Sequence, residues 1–374
     1  MDDSVTLSSL LEAAALKEVV QVGDEDIGSP SCKKVSHHII GSDGALDTTR
    51  DTVASSDDEE DDDEGGNNGV DVGGVEDERK DSFDAGNICQ ECGKAGDDLK
   101  TCASCKSAKY CSRECQLKAW ASHKEECKKR SAELHEEALF KQPPPRPDCP
   151  ICFLPLPIDV TQCQYQICCS KFLCTGCIQA HWMVQDELDC PFCREVATPN
   201  NKSYIKRLEK RAAVNDADAI QFLGGLYDEG KKGLKRDHVK AAQLYLKAGK
   251  LGSALGYRNL AAAYHDGRGV MMSAAKEKYY HELAAIGGYM NSRHVLGEIE
   301  WNTRNFQRAS KHYAIGAEAG HSGCLNDLKD CVKIGAFDRN EYARVLRAYK
   351  KSVEESRSDL RENSPLKQMM SMLG

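Results

Sequence analysis

The sequence lacks any run of about 18 apolar residues, the length a helix needs to cross a bilayer, so no membrane span is expected. The N-terminal stretch MDDSVTLSSLLEAAALKEVV lacks the positive charge of a secretory signal, carries Asp2 and Asp3 instead, and shows no small-residue cleavage site. Aromatics are scarce, at 6% overall, and none precedes Phe83. Residues 1–86 also contain the run DDEEDDDEGG at 57–66. Such a segment buries too little apolar surface to offset its ordering entropy, so an acidic disordered arm is expected there. A uniformly basic coat is absent: the net charge is −9, which excludes a nucleic-acid-covering surface of that kind. The imbalance is local, with 24 acidic and 6 basic residues in 1–88, against 35 and 44 in the rest of the 374-residue chain.

What is abundant is cysteine. Sixteen of the 19 cysteines lie between Cys89 and Cys193, the density of a metal- or disulfide-stapled module. With no export signal, the expected compartment is the reducing cytosol or nucleus, where thiols bind metal rather than each other. The acidic arm has one patterned stretch, Leu7–Val20, whose Leu7, Leu10, Leu11, Ala14 and Ala15 share a helical face. It reads as a frayed helix or a partner-docking one. The expected order is a disordered arm over 1–86, cysteine blocks at 87–130 and 148–196, and a helix and proline-rich linker at 131–147. Helical repeats follow over 201–357, and a tail over 358–374. The proline run 142–147 reads as a stiff spacer, with a ligand for a proline-binding domain as the alternative.

The first block runs Cys89-x2-Cys92, Cys102-x2-Cys105, Cys111-x3-Cys115, His123-x3-Cys127. Two cysteines three apart form a knuckle whose thiolates converge on one tetrahedral zinc. Ligands four apart lie one turn apart on a helix face. Eight ligands make two closed, structural sites, and zinc supplies the free energy that about 40 residues cannot bury. The block resembles the MYND zinc finger through those ligands together with Tyr110, Ser112, Gln116, Trp120 and Lys124. The resemblance implies interleaved sites, Cys89, Cys92, Cys111 and Cys115 on one ion and Cys102, Cys105, His123 and Cys127 on the other. It also implies a groove for proline-containing peptides lined by Gln116 and Trp120, although mini-core packing accounts for Trp120 equally well. No segment here resembles the methyltransferase domains that MYND fingers accompany.

The second block has knuckles Cys149-x2-Cys152, Cys174-x2-Cys177 and Cys190-x2-Cys193, with Cys163 and the doublet Cys168-Cys169 between them. It resembles a RING finger in an all-cysteine variant. The resemblance implies Cys149, Cys152, Cys174 and Cys177 on one zinc, and Cys190 and Cys193 on another with two central ligands. The usual central Cys-x-His is missing. Cys169 is favoured, with Cys168 as its companion and Cys163 or His181 as substitutes. A RING finger recruits a ubiquitin-conjugating enzyme, and Ile151, Trp182, Pro191 and Arg194 match the contact positions. In all, about four zinc ions are expected.

From Asn201 onward the chain reads as paired helices with a loose repeat. Leu223-Gly224, Leu260-Ala261 and Leu296-Gly297 recur, as do Gly252, Gly288 and Gly320 at helix ends. Tyr245, His281 and Tyr313 each precede a small residue by three. The pattern resembles the Sel-one-like branch of tetratricopeptide repeats over about 205–335, implying an all-α solenoid with a concave partner surface. Gly225-x4-Gly230-Lys231-Lys232 mimics a phosphate-binding loop but lacks its Ser or Thr and a preceding strand. The favoured function is a zinc-binding interaction adaptor. The alternative is a RING-type ubiquitin ligase with the MYND finger and repeats as substrate receptors. Nucleic-acid binding through Lys128-Lys129-Arg130 is weakest, because no interleaved aromatics accompany the charge. A metal enzyme is disfavoured because closed sites leave no position for an activated water.

Overall fold

The computed structural model describes residues 87–184 and 188–362. The acidic arm, the Leu7–Val20 stretch and residues 363–374 lie outside the described residues. The chain forms two compact units. Among the described residues, one unit takes 87–101 and 108–119, and the other 102–107 and everything from Trp120 onward.

The smaller unit holds a two-stranded antiparallel ribbon, β1 (Lys100–Thr101) and β2 (Lys109–Tyr110), with Lys100 opposite Tyr110. The helix that follows, α1 (Arg113–Phe140), is 28 residues long. It contains no Gly or Pro and is rich in Ala, Glu, Lys and Arg, so nothing interrupts it. This differs from the expected boundary at 130/131. The charged stretch Ser131–Phe140 is no separate linker helix but the C-terminal part of α1.

In the larger unit, the second cysteine block contains a hairpin, β3 (Cys163–Gln166) and β4 (Lys171–Cys174), followed by α2 (Thr175–Trp182). Eight longer helices pack mainly against their sequence neighbours: α3 (Asn201–Ala213), α4 (Ala217–Glu229), α5 (His238–Lys250), α6 (Ala254–Asp266), α7 (Ala274–Ile286), α8 (Met290–Asn302), α9 (Phe306–Glu318) and α10 (Ser322–Lys333). Then come α11 (Arg339–Glu355) and the single turn α12 (Asp359–Glu362). Asp216, Asp237, Ser253, Ser273 and Asp338 cap helix starts through their side chains.

The recurring small residues have a steric cause. A Cβ on Gly297 would stand 2.2 Å from the Tyr313 ring, and one on Gly224 2.8 Å from the Tyr245 ring. The first helix of each pair therefore lies against the aromatic of the second. Gly252, Gly288 and Gly320 end their helices with φ of 101°, 90° and 98°, values a side chain disfavours. The mimic at Gly225–Lys232 is accounted for similarly: it is the end of α4, with Gly230 as a left-handed cap.

The end of α1 is held in the same unit as the helical pairs. Leu139 is fully buried with Ala285 and Leu296. The fully buried Arg293 donates to the Leu139 carbonyl, placing a cation at the negative end of the helix. The Phe140 ring packs against that of His312, tilted by 44° with centroids 4.8 Å apart. Polar contacts surround this core: His135 to Glu282 at 2.9 Å, Arg308 to Glu136, and Gln142 to Glu318 at 2.7 Å. The proline run is seated rather than free, since Arg146 donates to the Leu156 carbonyl at 2.8 Å and to Ser352 Oγ at 3.1 Å. The β3–β4 hairpin is tied down too: Tyr165 stacks on Phe222 at 4.9 Å, and its hydroxyl donates to Asp216 at 2.9 Å. The expected tail also differs, because Asp359–Glu362 forms a helical turn packed on α2.

Three histidines, His281 and His312 buried and His321 half-buried, set a pH dependence. Burial lowers His281 and His321 from 6.5 to about 4 and His312 to about 3. His321 Nδ1 caps α10 by accepting from the Cys324 amide, which requires the neutral ring. The folded values lie below the unfolded one, so the stabilisation is complete above pH 6.5 and is lost as pH falls toward 4. His321→Asn keeps a capping oxygen and removes one titration. The midpoint of urea unfolding of the helical region should therefore fall less steeply between pH 7 and pH 4.5 in this variant than in wild type. Identical slopes would refute the assignment.

Candidate metal centres

Each cysteine block builds its ligands from a few short elements. In the first, the knuckle Cys89–Cys92 turns back through the Gly93 amide, 2.9 Å from the Cys89 carbonyl. Cys111 follows β2, and Cys115 lies on the first turns of α1. Their sulfurs gather: Cys92 to Cys111 is 3.5 Å, and Cys111 to Cys115 is 3.5 Å. In the larger unit, Cys102 and Cys105 form a knuckle that meets His123 and Cys127 from α1. Here Cys102 to Cys127 is 3.7 Å, and Cys105 Sγ to His123 Nε2 is 3.5 Å.

The second block brings Cys149, Cys152, Cys174 and Cys177 together, with Cys152 Sγ 3.9 Å from Cys174 Sγ. It brings Cys168, Cys169, Cys190 and Cys193 together as well, with Cys169 Sγ 3.9 Å from Cys190 Sγ. In all four tetrads the donor atoms lie within 4.8 Å of one another.

These distances test the metal. Four thiolates at a Zn–S distance of about 2.3 Å on a tetrahedron stand about 3.8 Å apart, close to the 3.5–3.9 Å of the sulfur pairs above. The electrostatics agree. Hydrogen bonds that Cys111 donates to Cys115 and then Cys92 push Cys111 up to about 12, and burial followed by Cys102 does the same to Cys127. Contact with Cys149 and then Cys174 pushes Cys177 up strongly. Crowded thiols resist ionising together, and a dication removes that resistance. Backbone amides help at the knuckles: those of Cys111 and Cys92 lower Cys89 to about 6. The residues fit zinc, and all four tetrads are closed by protein ligands, the arrangement of structural ions.

Of the alternatives for the last tetrad, the structure places Cys168 with the other sulfurs. Cys163 instead donates its thiol to the Pro157 carbonyl at 3.6 Å, and burial raises it to about 12. His181 is occupied by Asp189, with Arg194 3.2 Å from its Nδ1. Adjacent cysteines reach one centre because they sit in the tight turn between β3 and β4, where Ser170 has a φ of 58°.

The remaining predicted residues scatter. Gln116 and Trp120 are half-buried one turn apart on α1, and Trp120 meets the His123 ring edge-on at 6.2 Å. Ile151 is half-buried against the core of its finger. Trp182 is exposed and donates to the Asp189 carbonyl at 3.1 Å. Arg194 is exposed, whereas Pro191 is buried. Two residues that sequence reasoning missed, Arg146 and Arg361, touch the backbone of the second block from outside it. No local signal marks either one.

Residues 89–127 match the MYND finger family, and this segment is a MYND finger. The finger is 49% identical over 43 residues to the Homo sapiens histone-lysine N-methyltransferase SMYD3, covering 12% of this chain and 10% of that protein. It is 49% identical over 47 residues to a SET and MYND domain-containing protein of Dictyostelium discoideum, covering 11% and 9%. This chain thus spans about a tenth of the length of those relatives. Among solved structures, a Sel1 repeat protein from Oxalobacter formigenes is 26% identical, with 42% of this chain and 67% of that one covered and a TM-score of 0.37. The protective antigen c5321 of uropathogenic Escherichia coli, which displays an SLR fold, is 15% identical, with 53% and 47% covered and a TM-score of 0.27.

Cys168→Ser should reduce bound zinc by one ion per chain, whereas Cys163→Ser should leave the count unchanged. Elemental analysis of the two purified variants decides this, and zinc loss from Cys163→Ser would reassign the ligand.

Proposed function

We propose that this protein is an interaction adaptor organised by structural zinc, in which the MYND finger captures a proline-containing peptide segment of a partner and the helical pairs present a second protein-binding surface. The observation that carries this reading is the closed donor set of each tetrad. Four protein ligands per ion assign the metal to holding surfaces in place rather than to activating water. The MYND match to residues 89–127 supports the peptide role. Gln116 and Trp120 are the residues we assign to that peptide. Trp120 offers an amphipathic ring beside a rigid, metal-anchored turn, and proline segments enter such contacts with little entropy left to lose. A reducing compartment, cytosol or nucleus, suits fifteen thiolate ligands.

The ubiquitin-ligase reading is favoured by one feature, three exposed apolar side chains in the second block, Phe153 (76% exposed), Phe192 (43%) and Trp182 (39%). The burial of Pro191 weighs against it, because that side chain is not offered to a partner. Discharge of ubiquitin from a charged conjugating enzyme separates the two readings.

A library of proline-containing peptides, read by fluorescence polarisation against the zinc-loaded chain, tests the adaptor reading. Binding should weaken at least tenfold in Gln116→Ala and in Trp120→Ala, with the zinc count unchanged. No bound sequence, or equal affinity in both variants, would refute the assignment.

A further inference from the structure

We infer that Arg361 is an outer-sphere clamp on the Cys152 thiolate, which makes the C-terminal turn α12 a working part of the metal centre formed by Cys149, Cys152, Cys174 and Cys177. The inference rests on zinc occupying that tetrad. Arg361 is 8% exposed, although it is the third residue of a single helical turn beyond α11. Its guanidinium donates to Cys152 Sγ at 3.2 Å and to the Leu154 carbonyl at 3.2 Å. It also donates to the carbonyls of Pro155 at 2.7 Å and Ser356 at 2.8 Å. A buried guanidinium needs compensating charge. Among the described residues no carboxylate lies within ion-pair distance of it. The compensating charge is the metal centre itself. Four thiolates on a dication carry a net charge of −2, and an N–H donated to one sulfur disperses part of it.

The packing around Arg361 is specific to this contact. Gly176, in the first turn of α2 between two ligands, has no side chain, and a Cβ there would stand 2.6 Å from the Leu360 carbonyl oxygen. The missing Cβ is what lets α12 come down onto α2. Arg146 holds the next carbonyl along, that of Leu156. The loop leaving the Cys149–Cys152 knuckle is thus pinned at Leu154 and Pro155 by Arg361, distant in sequence, and at Leu156 by Arg146, which lies just before the knuckle.

The test uses the full-length zinc-loaded chain. Arg361→Met removes the donor, and Gly176→Ala pushes α12 away while leaving Arg361 in the sequence. Zinc release to a chromogenic chelator is followed together with alkylation of the freed cysteines, which identifies the tetrad by mass. In both variants one ion of the four should leave about tenfold faster, with Cys149, Cys152, Cys174 and Cys177 alkylated first. In the cobalt-substituted protein, Arg361→Met should also shift the sulfur-to-metal charge-transfer absorption, a change that loosened packing alone does not produce. Release at the wild-type rate with an unchanged cobalt spectrum overturns the clamp, as does equal acceleration at all four tetrads. A wild-type chain in which those four cysteines are alkylated immediately, before chelator is added, overturns the metal reading and the clamp with it.

Discussion

Three or four sulfurs held within 4.8 Å of one another cannot all carry charge without a cation between them. That constraint organises most of residues 87–196. The ribbon β1–β2, the hairpin β3–β4 and the start of α1 are short elements with little apolar surface, and alone they would not order. Each places one or more ligands, and ligand binding of order 10 kcal/mol per structural zinc is ample to hold them. The metal thus replaces a hydrophobic core in the cysteine blocks. The helical region, by contrast, has ordinary cores such as that of Tyr245, Leu260, Tyr264 and Tyr280.

The two kinds of stabilisation meet in the larger unit. There α1 carries His123 and Cys127 near its middle and ends at Leu139 and Phe140 among α7, α8 and α9. The hairpin of the second block leans on Phe222, and the C-terminal turn returns to Cys152. A surface held from both sides in this way is pre-organised, so a partner binding it gives up little conformational entropy. This is the physical content of reading the chain as an adaptor.

How legible this was in the sequence depended on distance along the chain. Knuckles three residues apart and ligands four apart on a helix are local geometry, and they are visible as spacing. The paired helices were visible for the same reason, since a small residue and an aromatic at fixed offsets report a contact inside one hairpin, as Gly297 and Tyr313 do. The choice among Cys163, Cys168 and His181 was not local. It turned on which sulfur the β3–β4 turn lifts toward Cys190 and Cys193, and spacing alone left it open. The arginines were invisible altogether: Arg361 meets a residue 209 positions away, and Arg293 one 154 positions away. The continuity of α1 was readable in principle, because no Gly or Pro interrupts 113–140, and helix propensity does not recognise a boundary at 130/131.

The central claim is that sixteen side chains act as four closed metal sites, and native mass spectrometry of the full-length chain tests it most directly. The account predicts four zinc ions per chain, and 19 titratable thiols once chelator has removed them. Two ions would contradict it, because two of the four tetrads would then hold their ligands together without metal.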